Sequence, residues 1–234
     1  MKHVITIIIF GLILTLNSCR SNEPEIVCKK SVKKIIIDGS LDEEAWEKAE
    51  TISLLNNKTG KPVEQDEYKS EVKTCYDSDY LYIAFINGDQ DIFTSFTKRD
   101  EYLWEDEVVE VFIDTDEGLS TYIEIEISPA NIQFDSYITD TANIDLIETP
   151  KYDIEGLKSA IFVDGTVNNN SDIDKSWTVE IAIPLEEINM AINSEYPINF
   201  YRIDRDSTGP GSYAWSPTFR RFHSPSNFGK IKFE

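Results

Sequence analysis

The chain has 234 residues and carries 43 acidic side chains against 22 lysines and arginines, a formal net charge of −21. That balance excludes nucleic acid and anionic lipid surfaces as partners, since polyanions are repelled, while neutral sugars and cations stay compatible with it. The length suits one β-sandwich or two very small domains and does not choose between them.

The N-terminus reads as an export signal. Lys2 supplies the positive end, and Val4 to Leu16 form an apolar run broken by Thr6, Gly11 and Thr15. A spanning helix needs about 20 apolar residues, so this shorter run fits a signal segment. Leu16-Asn17-Ser18-Cys19 resembles a bacterial lipobox, which implies a signal peptide over residues 1–18 and acylation of Cys19, for instance by palmitate. The alternative is an ordinary cleaved signal with an incidental cysteine. Residues 19–27 are then a polar tether and residues 28–234 a single domain, held at the bacterial cell envelope, on the outer membrane, through the lipid alone. With Cys19 acylated, Cys28 and Cys75 remain as an even pair in an oxidising compartment, and a disulfide is expected between them; two buried free thiols are the alternative. His223 is the one histidine beyond the signal segment, so a zinc-type site is not expected.

Lys34-Ile35-Ile36-Ile37 is a short β-branched run ending at the turn pair Asp38-Gly39. Leu41 to Ala49 is the best helical candidate, with Leu41, Ala45 and Trp46 toward the core. Strands are expected over Glu71–Tyr76, Tyr80–Ile86, Val108–Asp114, Thr121–Ser128, Ala160–Val163, Trp177–Ile183, Ile198–Ile203 and Lys230–Phe233. Alternation is clearest in Tyr122 to Ile127, where Ile123, Ile125 and Ile127 point one way and Tyr122, Glu124 and Glu126 the other. Trp177, Val179, Ile181 and Ile183 share a face in the same manner. Asn56 to Glu67 and Thr139 to Ser176 are poor in strand signal. The pattern predicts an all-β fold: a single β-sandwich, immunoglobulin- or jelly-roll-like, of antiparallel strands with one short N-terminal helix.

Five segments in order resemble family nine carbohydrate-binding modules: Ile37 to Trp46 (IDGSLDEEAW), Tyr76 to Tyr82, Trp104 to Asp114 (WEDEVVEVFID), Trp177 to Pro184 (WTVEIAIP) and Phe222 to Gly229. The resemblance spans nearly the whole chain after the signal and implies a β-sandwich that binds sugars between two aromatic rings. It places Trp104 as the first ring, Glu110 as a carboxylate accepting hydrogen bonds from sugar hydroxyls, and Phe222 where the second ring, usually tryptophan, stands. Bound calcium also occurs in such modules. The chemistry is coherent: a pyranose offers C–H groups on its faces and hydroxyls at its rim, matching flat aromatics and charged edge groups.

Around those positions, Arg99 is a candidate for reaching hydroxyls or pairing with Glu110. Some sugar-binding members carry a basic residue on the strand that is Tyr122–Ile127 here. This chain has Glu124 and Glu126 instead, so Glu124 joins Glu110 as a candidate ligand-binding residue on an acidic face. Arg99, Arg202 and Arg205 are candidates to offset that charge, and so is calcium, whose ligands are carboxylate and carbonyl oxygens. Asp114-Thr115-Asp116-Glu117-Gly118 resembles a fragment of a calcium loop, against the plainer reading of an acidic turn. The leading functional expectation is non-catalytic carbohydrate binding. The alternatives are a module docking a protein partner, a glycoside hydrolase built on paired carboxylates, and a haem-binding relative using Met190 and His223.

Overall fold

The computed structural model describes residues 23–116, 118–206 and 209–234. The expected signal segment, Cys19 and the start of the expected tether lie outside them. In chain order the elements are β1 (Glu25–Lys30), α1 (Glu44–Lys48), β2 (Thr51–Ser53), β3 (Leu55–Asn56), β4 (Ser70–Tyr76), β5 (Tyr80–Gly88), β6 (Val108–Ile113), β7 (Tyr122–Ile127), β8 (Gln133–Ile138), β9 (Lys158–Asp164), β10 (Ser176–Pro184), β11 (Glu195–Asp206), β12 (Gly209–Ala214) and β13 (Gly229–Phe233). Single 3-10 turns lie at Asp66–Tyr68, Leu103–Glu105, Thr149–Lys151 and Pro225–Asn227.

The strands form one hydrogen-bonded path, β8-β7-β6-β11-β13-β1-β4-β5-β10-β9, with β2, β3 and β12 attached beside it. Strand β1 joins the two arms. Its first four residues pair with β13, Glu25 opposite Lys230 through Cys28 opposite Phe233, and its last two pair with β4. Both of those pairings are parallel, a departure from the all-antiparallel expectation. The path curls until its end strands meet: Gln133 of β8 donates from Nε2 to Ser159 Oγ of β9 at 2.7 Å, and the neighbouring Asn131 reaches the Ser159 carbonyl at 3.2 Å.

Inside the curl lies one apolar core drawn from both arms. Val109, Val111, Ile113, Ile123, Ile125 and Ile127 meet Ile83, Phe85, Val179 and Ile181, and the rings of Phe85 and Phe200 sit 6.1 Å apart, edge to face. Each fully buried aliphatic side chain of this size stabilises by about 1.5–3 kcal/mol. A one-residue slip of β6 or β7 would exchange these residues for glutamates, which fixes the register.

Several expectations are corrected. The helix is a single short turn, Glu44–Lys48, and it is accompanied by the four 3-10 turns. Lys34–Ile37 is not a strand, and Ile36 is exposed. Its backbone is satisfied by side chains instead: Ile36 N–H donates to Glu43, and the Asp38 and Gly39 N–H groups donate to Glu180 Oε2 at 2.9 and 2.8 Å. Trp46 Nε1 donates to the other Glu180 oxygen at 2.9 Å. Gly39 has a φ of +89°, and a Cβ there would come within 2.6 Å of the Ile161 carbonyl carbon. The Ile37–Trp46 motif thus clamps the N-terminal loop onto the outside of β10.

The expected Cys28–Cys75 disulfide is also corrected: both residues are buried free thiols. Lys29 lies opposite Cys75, so Cys28, one residue earlier, points to the other side of the sheet. Cys28 enters the main core, whereas Cys75 packs in the outer cluster around Trp46. Burial pushes the Cys28 thiol up to about 12 and raises that of Cys75 as well, so neither is a reactive thiolate.

Candidate functional site

The side chains of β6, β7, β8 and β11 that face away from the core build a second surface. In register, Glu110 stands opposite Glu126 on β7 and Tyr201 on β11; Phe112 stands opposite Glu124; Glu124 and Glu126 stand opposite Ser136 and Phe134 on β8. Alternation along two neighbouring strands, β6 and β7, therefore gathers three carboxyl groups. Oxygens of Glu110, Glu124 and Glu126 lie within 4.8 Å of one another, and the three residues are 2%, 5% and 0% exposed.

They form the floor of a cleft of ≈ 330 Å³ that is also lined by Trp104, Phe134, Ile144, Leu146, Ile203, Arg220, Arg221, Phe222 and His223. Trp104 rides on the 3-10 turn Leu103–Glu105 just before β6; Tyr102 stacks on its ring at 4.7 Å, and Phe134 meets it edge-on at 5.4 Å. Arg205 donates to the Trp104 carbonyl at 3.0 Å, fixing the turn. Phe222 comes from the loop after β12. Its ring stacks on Tyr201 at 4.2 Å and 17°, and the Tyr201 hydroxyl donates to the Phe222 carbonyl at 3.1 Å.

That loop is held from behind by a residue that no sequence motif singles out. Asn57, fully buried, accepts at Oδ1 from the Thr218 N–H at 2.8 Å and donates from Nδ2 to the Arg220 carbonyl at 3.0 Å. Asn199 does similar work, donating to the Tyr201 hydroxyl and to the Ser216 carbonyl, both at 2.8 Å. A lone asparagine in a polar stretch carries no sequence signal of such a role.

The electrostatics of the floor follow from burial. Desolvation raises Glu110 and Glu126 well above the usual carboxyl range, each helped by its charged neighbours. Glu124 is pushed up to about 7 by desolvation, moderated by Ser136, which donates to it at 2.9 Å, and by Glu126. Glu110 Oε1 and both oxygens of Glu126 are buried and meet no donor among the described residues. A proton on Glu126, shared with Glu124, is the arrangement that relieves the like-charge contact. His223 shares a 2.6 Å hydrogen bond between Nδ1 and the Tyr122 hydroxyl, and its Nε2 is 3.9 Å from Glu124. Desolvation, with Arg221 nearby, lowers the imidazole to about 4. It is neutral at pH 7, so this contact is not an ion pair.

Of the expected site residues, Trp104, Glu110, Phe222 and Glu124 come together in the cleft. Arg99 does not. Its guanidinium pairs with the buried Asp135, with Asp153 at 3.1 Å and with Gln133 at 2.6 Å. Asp135 points to the opposite side of β8 from Phe134 and Ser136, so Arg99 is aimed away from Glu110. Arg202 is likewise drawn elsewhere: it is fully buried and binds Asp89 at 2.7 Å, Asp204 at 3.4 Å and the Gly88 carbonyl at 2.7 Å. The basic residues that do reach the cleft, Arg220 and Arg221, are exposed on its rim. Met190 packs in the main core, apart from His223.

Asp114 to Gly118, read as an acidic turn in preference to a fragment of a calcium loop, is held by its own carboxylates. Asp114 accepts from the N–H groups of Asp116 and Leu119, and Asp116 accepts from the Gly118 N–H and the Thr121 hydroxyl, so these carboxylates shape the turn. A second carboxyl cluster, Asp89, Glu107 and Asp204, sits on the core side of the sheet. Arg202 already supplies its cation, and Trp177 Nε1 donates to Asp89 at 3.1 Å. Burial, with Asp89 beside it, pushes Glu107 up to about 10, a protonated acid at neutral pH.

Comparison with known proteins bears on this geometry. An extracellular protein from Arthroderma benhamiae is 30% identical over 176 residues, covering 70% of this chain and 78% of that protein. A candidate carbohydrate-binding protein from Bacteroides uniformis superposes with a TM-score of 0.70 at 17% identity, over 91% of this chain and 100% of that one. A family 9 carbohydrate-binding module from Caldicellulosiruptor kristjanssonii, solved with cellotriose, gives 0.65 at 15% identity over 90% and 94%; with glucose it gives 0.64 at 16% over 90% and 96%. The family model described as carbohydrate family 9 binding domain-like matches residues 37–234. The chain belongs to that carbohydrate family 9 binding domain-like family.

Proposed function

We propose that this chain is a non-catalytic carbohydrate-binding module, one domain over residues 28–234 whose curled sheet serves as the two layers of a sandwich, tethered to the cell envelope through an acylated Cys19. The observation that carries the sugar reading is the cleft itself. Trp104 and Phe222 stand on its walls, and Glu110 presents an unpartnered buried oxygen at its floor. Its volume of ≈ 330 Å³ is at the lower end of small-ligand sites, suited to a short oligosaccharide or a chain end. Apolar walls take the C–H faces of a sugar ring, and carboxyl oxygens take its hydroxyls. Phe222 is smaller than the tryptophan usual at the second ring and lacks an N–H, which argues for looser stacking on that side.

The test is titration of the purified full chain with a panel of oligosaccharides, followed by tryptophan fluorescence. Saturable quenching by one glycan class, weakened at least about tenfold in Trp104→Ala, is the expected result. A folded protein that responds to no member of the panel would overturn the sugar reading. The anchor has its own test: lipid labelling of the wild-type chain that disappears in Cys19→Ala.

A second reading rests on Tyr102, Leu146 and Ile147, which are 41%, 44% and 73% exposed beside the cleft. Such an apolar shelf suits a protein partner. Capture of one stoichiometric partner, lost in Ile147→Asp with glycan binding intact, would favour it.

A further inference from the structure

We infer that the cleft selects amino sugars: the floor of Glu110, Glu124 and Glu126 receives a protonated primary amine borne on the sugar ring while Trp104 covers the ring. This deepens the sugar reading and rests on it.

The floor is more acidic than hydroxyl recognition requires. Hydroxyls are neutral and are served by one or two carboxylates, whereas here three carboxyl groups converge with oxygens no more than 4.8 Å apart. Some point lies within about 2.8 Å of all three atoms so spaced, the reach of a charged N–H···O bond. An ammonium group carries three donors, one for each carboxylate.

Two further observations point to a missing cation. Glu110 and Glu126 are 2% and 0% exposed and keep oxygens without donors that border the cleft. No arginine or lysine pairs with any of the three among the described residues. Arg220 and Arg221 stay exposed at the rim, outside the triangle of acids. They would suit a uronate, but a buried unpaired acid is costlier than an exposed unpaired guanidinium, so the floor sets the preference. At rest the acids relieve one another by holding protons, which an entering ammonium replaces; binding should therefore release protons to solvent.

The experiment compares three disaccharides on the full chain by calorimetry at 0.15 M salt: the β-1,4 dimer of glucosamine, cellobiose, and a glucuronic acid dimer. The glucosamine dimer is expected to bind about tenfold or more tightly than cellobiose, with proton release seen as a dependence of heat on the buffer's ionisation enthalpy. Glu126→Gln, close to isosteric, should pull the ratio of the two affinities toward one, whatever happens to cellobiose itself. Trp104→Ala should abolish the glucosamine signal; because it leaves the net charge unaltered, persistence would mark mere attraction to an acidic protein and overturn the inference. Equal or weaker binding of the glucosamine dimer, or tighter binding of the uronate, would also overturn it. In those cases Trp104-dependent binding of cellobiose would leave the sugar reading standing, and failure of all three dimers would remove both.

Discussion

Among the described residues, two buried carboxyl clusters lie on opposite faces of the sheet around β6, and they are finished in different ways. On the core side, Asp89, Glu107 and Asp204 surround Arg202, whose guanidinium also binds the Gly88 carbonyl and lies 6.0 Å from the rings of Trp177 and Tyr213. On the outer side, Glu110, Glu124 and Glu126 have no such cation and open onto a cleft. Burying unpaired acids is costly, so a fold that only sought stability would treat both clusters alike. The difference teaches that the inner cluster holds its cation within the chain, although both Glu107 oxygens still lack a hydrogen-bond partner, whereas the outer cluster has no such cation and opens where a ligand can reach it.

The sharpest way to break that comparison is to remove the inner cation. Arg202→Met would leave Asp89 and Asp204 buried without their partner and should cost about 3–5 kcal/mol, measured by urea unfolding. A loss below about 1 kcal/mol would mean that the inner cluster is no more complete than the outer one.

Acidity tests the outer cluster. Glu124, raised to about 7 from 4.5, binds its proton more tightly folded than unfolded, as do Glu110 and Glu126. In that window the native state holds more protons than the unfolded one, so its stability falls as pH rises. For Glu124 this contribution is fully present below about pH 4.5 and lost as pH rises through about 7, a change of a few kcal/mol; for Glu110 and Glu126 the loss continues to higher pH. Carboxylates held low by hydrogen bonds, such as Asp77 and Glu101, work the other way near pH 4. Thermal melts across this range should therefore show a negative slope that is flatter in Glu126→Gln. A slope that is unchanged in the variant would place the titrating groups elsewhere.

The smallest effect sharpens the boundary of the site. Arg99 is about a third exposed and pairs with Asp135 on the far side of β8. Arg99→Ala should cost about 1 kcal/mol of stability, after solvent screening, and leave glycan affinity unchanged. A tenfold loss of affinity would return Arg99 to the binding surface.

The sequence was most legible where chemistry and period agree. The strict alternation of Tyr122–Ile127 put Glu124 and Glu126 on one face and three isoleucines on the other, as found. Strand β8 was hidden because Asp135 occupies a core-facing position, where a charge reads as a loop; its partners Arg99 and the Ile154 N–H are distant in sequence. Strand β1 was hidden among tether residues, since Glu25, Lys29 and Lys30 obscure its two inward side chains, Ile26 and Cys28. Lys34–Ile37 misled in the other direction, because β-branched residues also suit an extended loop whose N–H groups are met by Glu43 and Glu180.

What the sequence determined by itself was a β fold with an aromatic and acidic binding segment, since period two and the Trp104–Asp114 motif are local properties. Only the tertiary structure decided which arginine serves which acid. Charge pairing depends on the side of the sheet from which a side chain emerges and on strands brought together from across the chain. Arg202 went inward to Asp89, 113 residues away, and Arg99 went to Asp135, 36 residues away, leaving the three glutamates of the cleft without an internal cation.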